Sequence, residues 1–185
     1  MQKVAILGLA GDPPHNGHKA VMQLASQHVD EVWLMPCYLH KFKNPIASPE
    51  NRLAMCNLVG KTSNYEINHK FYGYTFDIVN NLKRDMPQYE FSFVIGQDNA
   101  DHINVWYKWP ELIKLVRFIV VPRGNTKPLQ DWYLHNGHIL ASGKDEQNCS
   151  STRIRELIKN NKYEEAGVYL DPNVLQYIKD KELYV

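Results

Sequence analysis

The chain has 185 residues, 44% of them hydrophobic, with 21 basic and 20 acidic side chains and a formal net charge of +1. That is enough apolar material for a core without a disulfide or metal staple, and too even a charge for the general basic field a long nucleic acid needs. The widely spaced Cys37, Cys56 and Cys149, with no CxxC pair, give no sign of a disulfide framework or zinc knuckle, and no apolar run approaches the roughly 20 residues of a membrane-spanning helix.

The first element is the run KVAILGL at 3–9, which lacks strict polar alternation. Three similar runs follow: EVWLMP at 31–36, FSFVI at 91–95 and RFIVV at 117–121. Such runs suit strands covered on both faces, as in a parallel sheet. Helical patterns lie between them. Residues 17–28 put Ala20, Val21, Leu24 and Ala25 on one stripe, Ser48 and Pro49 read as the cap and first residue of a helix over 49–59, and TFDIVNNLKRDM at 75–86 and PELIKLV at 110–116 are two more. This alternation predicts right-handed βαβ units in an α/β fold, a Rossmann-like doubly wound parallel sheet. Residues 122–138 are the most loop-like part. Past HILASG at 138–143 the pattern changes to three helices, SSTRIRELIKNN, YEEAGVYL and DPNVLQYIKDKEL, the last opened by Asp171 and Pro172. With no repeat and no linker-like composition, one domain over 1–185 is expected: an α/β core at 1–145 and a small helical C-terminal part at 146–185. The opening MQKVAILGLAGDPP is too short and interrupted for a signal peptide, and cysteine usage suits a reducing compartment, so a cytoplasmic protein is expected.

In a doubly wound sheet, ligands gather beyond the carboxyl ends of the strands. The segment GLAGDPPHNGH at 8–18 lies at such an end. Gly8 and Gly11 let backbone approach a ligand closely, and a helix starting near Asn16 aims N–H groups and a positive dipole end at an anion. His15 and His18 add imidazole donors. The pattern is neither GxxxxGK[ST] nor GxGxxG. The same residues fit a plain strand and tight loop with one histidine packed and one solvated, and two histidines also begin a metal site, though no third ligand sits nearby in sequence. Further on, Ser150, Ser151 and Thr152 stand at a predicted helix start with Arg155 one turn inside, which suits either a phosphate cradle or simple capping of an exposed helix. Lys41 and Lys43 lie in a polar loop. Asp98 follows a strand, as a ligand contact or a helix cap; Thr75 opens a helix; Arg123 follows RFIVV. Trp106 offers a flat face for ring stacking or for packing.

These segments carry a resemblance. HNGH at 15–18 resembles the first signature of the nucleotidyltransferase superfamily, (H/T)xGH, and CSSTRIR at 149–155 resembles the second, ISxTxxR, with Cys149 in the isoleucine position. Between and beyond them, VIGQDNADHINVWYKWPELI, PCYLHKFK, RLAM, GYTFD and YLDPNVLQYIKDKELY are similar to segments of bacterial nicotinate mononucleotide adenylyltransferases, over nearly the whole chain. Two departures stand out. Gly8, Leu9, Ala10 and Gly11 replace the family's Gly-Gly-Thr/Ser-Phe before Asp-Pro, removing a hydroxyl near the phosphates, and the lysine loop lacks paired prolines.

The resemblance implies ATP-dependent adenylylation of nicotinate mononucleotide to deamido-NAD with release of pyrophosphate, in NAD biosynthesis. It implies Mg²⁺ carried by the ATP phosphates, with no metal site of the protein's own. By resemblance, His15, His18, Lys41 and Arg155 are catalytic. Gly8, Leu9, Gly96, Asp98, Ser150, Ser151 and Thr152 hold ATP, with Asp98 at the ribose and Gly96 near the adenine, and Thr75, Trp106 and Arg123 take the mononucleotide. The implied partners are these two small molecules, with no nucleic acid and no membrane; a homo-oligomer is compatible. Nicotinamide mononucleotide as acceptor, a sister transferase using phosphopantetheine or a CTP-dependent substrate, and a nucleotide sensor without turnover stay open as alternatives.

Overall fold

The computed structural model describes residues 1–39, 44–70, 73–122, 129–135, 137–142 and 149–185. Strands β1 (Gln2–Leu9), β2 (Glu31–Pro36), β3 (Tyr89–Gly96), β4 (Arg117–Val121) and β5 (Ile139–Leu140) form one sheet in the order β2-β1-β3-β4-β5. The pairs β1/β3, β3/β4 and β4/β5 are parallel, with Ile6 opposite Phe93, Phe93 opposite Phe118 and Ile119 opposite Ile139. Val4 to Leu7, Phe91 to Ile95 and Phe118 to Val121 are buried at every position. Successive side chains of a strand point to opposite faces, so unbroken burial means cover on both, which is why these runs show no alternation. The predicted strands hold; β5 is an addition, too short to leave a pattern.

The helices are α1 (Asn16–Ala25), α2 (Pro49–Asn57), α3 (Tyr65–Asn68), α4 (Thr75–Asp85), α5 (Gln97–Asp101), α6 (Trp109–Leu115), α7 (Ser151–Lys159), α8 (Tyr163–Gly167) and α9 (Pro172–Asp180). Both expected caps form: the Ser48 side chain accepts from the Asn51 N–H at 3.3 Å and that of Asp171 from the Asn173 N–H at 3.0 Å. α1 ends at Ala25 instead of running to 28. Beyond it the Ser26 hydroxyl donates to the Gln23 carbonyl at 2.8 Å, a local side-chain bond that competes with helix continuation. α3 and α5 are single turns, too brief for a periodic signal.

Two compact units make up the chain, one drawn from residues 1–8, 21–33 and 73–146 and the other from 9–20, 34–72 and 147–185. In the first, Phe118 meets Trp132 edge-on at 5.4 Å, and the buried Asp101 accepts from the Leu129 N–H at 3.0 Å and the Tyr133 hydroxyl at 3.1 Å. These bonds tie residues 129–133 to α5. In the second, Ile154, Ile158, Leu170, Val174 and Ile178 pack with Ala47 and Met55. Each such aliphatic side chain contributes about 1.5–3 kcal/mol by leaving water. The last three helices therefore share their core with α2 and the residue before its cap, a partnership that a pass along the chain does not reveal.

Candidate active site

In the second unit the turn after β1 is shaped by Gly11, whose φ is +67° and whose missing Cβ would lie 2.8 Å from Cys56 Sγ. The next residue, Asp12, is buried and precedes a cis bond to Pro13. Its Oδ2 accepts from the Ile46 N–H at 2.8 Å, and its Oδ1 accepts from the Ala47 N–H at 3.0 Å and the Tyr184 hydroxyl at 2.8 Å. A carboxylate so supplied is an anchor for chain segments.

His15 stands immediately before α1. Its N–H donates to Nδ1 of His18 at 3.1 Å, so the third residue of the helix caps the residue just ahead of the first, as in a capping box. Nδ1 is thereby an acceptor, which assigns the proton of the neutral ring to Nε2 and makes that atom the donor. The two imidazoles lie with centroids 3.9 Å apart at 36°. Gly17 between them is tightly packed: a Cβ there would stand 3.0 Å from two atoms of the His15 ring, which would have to shift. The start of α1 is held by the Asn16 N–H donating to the Tyr169 carbonyl at 2.9 Å, and by Lys19 on Asp171 at 3.0 Å.

The second signature meets the turn just ahead of the first through two bonds. Ser151 Oγ donates to the Pro13 carbonyl at 2.9 Å, and Arg155 Nη1 donates to the Asp12 carbonyl at 2.7 Å. The Ser150 hydroxyl accepts the Arg153 N–H at 3.1 Å as the cap of α7, and Thr152 Oγ1 accepts from Arg155 Nη2 at 3.3 Å. The Ser151 hydroxyl thus latches the chain, while the Thr152 hydroxyl, an acceptor from Arg155, keeps its own proton to donate, and both residues present first-turn N–H groups. Capping engages the Ser150 oxygen as an acceptor and leaves the N–H groups of Ser151 and Thr152 without a carbonyl inside the helix.

Arg52 has no role in the sequence-level account, yet it organises this unit. It is 1% exposed and donates to the carbonyls of Ala47 (3.1 Å), Ala10 (2.8 Å), Cys37 (2.7 Å) and Tyr38 (2.9 Å). One guanidinium thus joins the turns after β1 and β2 to the start of α2. Nearby, burial pushes the Glu66 carboxyl up to about 8, against the opposing pull of the Tyr38 N–H and the Arg52 charge. The signal for Arg52 was weak: an arginine in the apolar string RLAMC.

In the first unit, Gly8 closes on Phe93, where a Cβ would lie 3.2 Å from Cζ. Gly96 caps α5 by backbone alone, with no side-chain bond, so Asp98 is not its cap; Asp98 is exposed in the first turn, its carbonyl 2.8 Å from His102 Nδ1. Likewise Tyr74 holds the cap position of α4 without a side-chain bond, which leaves Thr75 as the first helical residue. Trp106 is half-buried at the end of a short 3-10 turn, with Lys108 after it at φ +51°. Leu9 is buried at the end of β1 and its carbonyl accepts from the Cys37 N–H at 3.0 Å, within the second unit. Lys41 and Arg123 lie outside the described residues. Among those described, no three His, Cys, Asp or Glu side chains are grouped to hold a metal, which leaves the zinc alternative for His15 and His18 without a third ligand there. No described helix is long and apolar enough to cross a membrane.

A parallel α/β sheet with paired imidazoles after its first strand and a latched helix start carrying an arginine defines a nucleotidyltransferase. Residues 12–157 match the Cytidylyltransferase-like family. Over 195 aligned residues the chain is 33% identical to nicotinate-nucleotide adenylyltransferase of Bacillus subtilis, spanning 100% of this chain and 99% of that one. The chain belongs to the nicotinate-nucleotide adenylyltransferase family. Its fold matches the solved structure of Plasmodium falciparum nicotinic acid mononucleotide adenylyltransferase complexed with NaAD, with a TM-score of 0.80 at 20% identity over 100% of this chain and 98% of that one.

Proposed function

We infer that this chain transfers the adenylyl group of ATP to nicotinate mononucleotide, forming deamido-NAD and pyrophosphate in NAD biosynthesis. Family membership supplies the substrates. The observation that carries the chemistry is the joining of the second signature to the turn just ahead of the first within one unit, by Ser151 on Pro13 and Arg155 on Asp12.

In the reaction a 5′-phosphate oxygen of the mononucleotide forms a bond to the α-phosphorus of ATP while the bond from that phosphorus to the bridging oxygen of the β-phosphate breaks. The attacking oxygen is already anionic, so neither a general base nor a serine or cysteine nucleophile is needed. Catalysis reduces to holding the partners in line and stabilising charge on the α-phosphate and the leaving pyrophosphate. His18 suits the α-phosphate through Nε2–H, with His15 on the adjoining phosphates. The Ser150 hydroxyl and the N–H groups of Ser151 and Thr152 suit the β- and γ-phosphates, and Arg155 the leaving group. Gly8 and Leu9 let the chain pass close to ATP. Gly96 and Asp98 take the adenosine, Thr75 and Trp106 the mononucleotide; Lys41 and Arg123 join them on family resemblance alone. Mg²⁺, if carried on the ATP phosphates, would supply charge neutralisation there, while Asp12 already has three donors of the protein's own. The partners are the two small-molecule substrates, in a cytoplasmic setting.

The test is pyrophosphate release from Mg-ATP with nicotinate mononucleotide, nicotinamide mononucleotide or phosphopantetheine as acceptor. Release is expected with the first at least tenfold above the others. Release with only one of the others reassigns the acceptor, and silence with all three overturns the activity.

A further inference from the structure

Tyr184, beyond α9, has no part in the chemistry above, yet it reaches its centre. It is 8% exposed and belongs to the apolar cluster of Met55, Ile154 and Ile158. Its φ is +69°, a left-handed conformation that an aromatic residue rarely adopts. That turn of backbone delivers its hydroxyl to Asp12 Oδ1 at 2.8 Å. Burial, and then the Asp12 charge, raise the pKa of the phenol, so it remains a donor at any working pH.

Arg155 faces the same carboxylate, but loosely. Nη1 is 3.5 Å from Asp12 Oδ2, while its short bond, 2.7 Å, goes to the Asp12 main-chain carbonyl. An arginine beside a buried carboxylate ordinarily closes into a short, two-pronged pair. Here three neutral donors, from Tyr184, Ala47 and Ile46, occupy the carboxylate instead. Arg155 and Tyr184 also line one pocket of about 240 Å³, together with Thr152, Lys159, Glu156 and Ile46.

We propose that Tyr184 is a positioning residue for Arg155: by occupying Asp12 it stops the guanidinium from collapsing onto that carboxylate and keeps an edge of it available to the leaving pyrophosphate. The inference rests on the assignment of Arg155 to that group. Removing the hydroxyl leaves Asp12 with one donor on each oxygen, Ala47 on Oδ1 and Ile46 on Oδ2. The less satisfied carboxylate then draws in the guanidinium, whose Nη1 stands 3.5 Å from Oδ2, and turns it from the phosphates to the protein.

Tyr184→Phe keeps the ring volume and the Ala47 bond, so the variant folds. With Mg-ATP and nicotinate mononucleotide it is expected to lose roughly tenfold in kcat, less than the loss of a direct donor, with KM for the mononucleotide unmoved. In an Arg155→Lys background the same change is expected to cost less than about twofold, because the two residues act as one unit. Leu183→Ala, which thins the same cluster, is the control: a lower melting temperature with unchanged kcat. A Tyr184→Phe enzyme that melts earlier but turns over normally overturns the proposal, as does an undiminished effect in the Arg155→Lys background or a kcat loss matched by Leu183→Ala. Normal kinetics for Arg155→Lys alone instead refute the role of Arg155, a separate failure.

Discussion

The chemistry of a single residue is clearest at His18. Its Nδ1 accepts the His15 N–H at 3.1 Å, so one nitrogen holds the helix start while the other carries the proton of the proposed phosphate contact. Substitution by alanine removes both functions, and the expected result is a folded protein with turnover reduced roughly 100-fold, the scale of a lost preorganised donor. Steady-state kinetics with circular dichroism check it; unchanged turnover removes His18 from the site. Gly17 makes a sharper case, because its two effects have opposite signs. Alanine there favours the helix by roughly 0.5–1 kcal/mol, yet its Cβ would meet the His15 ring at 3.0 Å and displace it. Gly17→Ala is therefore expected to unfold no earlier than wild type while losing activity. Equal activity would mean that the His15 ring has room to yield. The spacing of these residues was readable directly from HNGH, whereas the protonated nitrogen and the space around Gly17 follow from three-dimensional contacts.

Among the elements, α2 does most to position the site, through Arg52. Four carbonyls from three segments converge on its guanidinium. Its replacement by methionine fills the space but leaves those carbonyls short of donors, and buried acceptors left in this way cost about 1–3 kcal/mol each. Arg52→Met is expected to lose at least about 3 kcal/mol in urea unfolding, given that part of the loss is recovered by relaxation. A loss below about 1 kcal/mol would show that the turns hold their shape without it. The helix patterns at 49–59 and 75–86 were legible because capping chemistry and apolar spacing are local. α3, α5 and β5 were not, since a single turn or a two-residue strand is stabilised by its neighbours and leaves no period of its own.

For the molecule as a whole, pH dependence exposes a buried acid, Glu66. Glu66 is 5% exposed, and burial holds its carboxyl at about 8, above the ordinary carboxyl value of 4.5. With the folded value the higher one, the folded state binds more protons between these two values, so stability is complete below the unfolded pKa and declines as pH rises to about 8. Glu66→Gln, which cannot ionise, is expected to match wild type near pH 5 and to unfold at higher temperature than wild type near pH 8, a difference that thermal melts across that range would reveal. Parallel melting curves at all pH values would place Glu66 in the ionised form throughout.

Local pattern was enough for the alternation of strands and helices, the caps at Ser48 and Asp171, and the family, through HNGH, SSTRIR and the segments between them. These are features of adjacent residues, or of motifs whose order along the chain is enough. Contacts in three dimensions were needed to show that α7, α8 and α9 share a core with Ala47 and Met55, that the Ser151 hydroxyl donates to Pro13, and that Asp12, Arg52 and Tyr184 shape the site. Each of those depends on groups far apart in sequence. Which donor meets which acceptor is settled by packing and burial, and neither leaves a mark on the residues one by one.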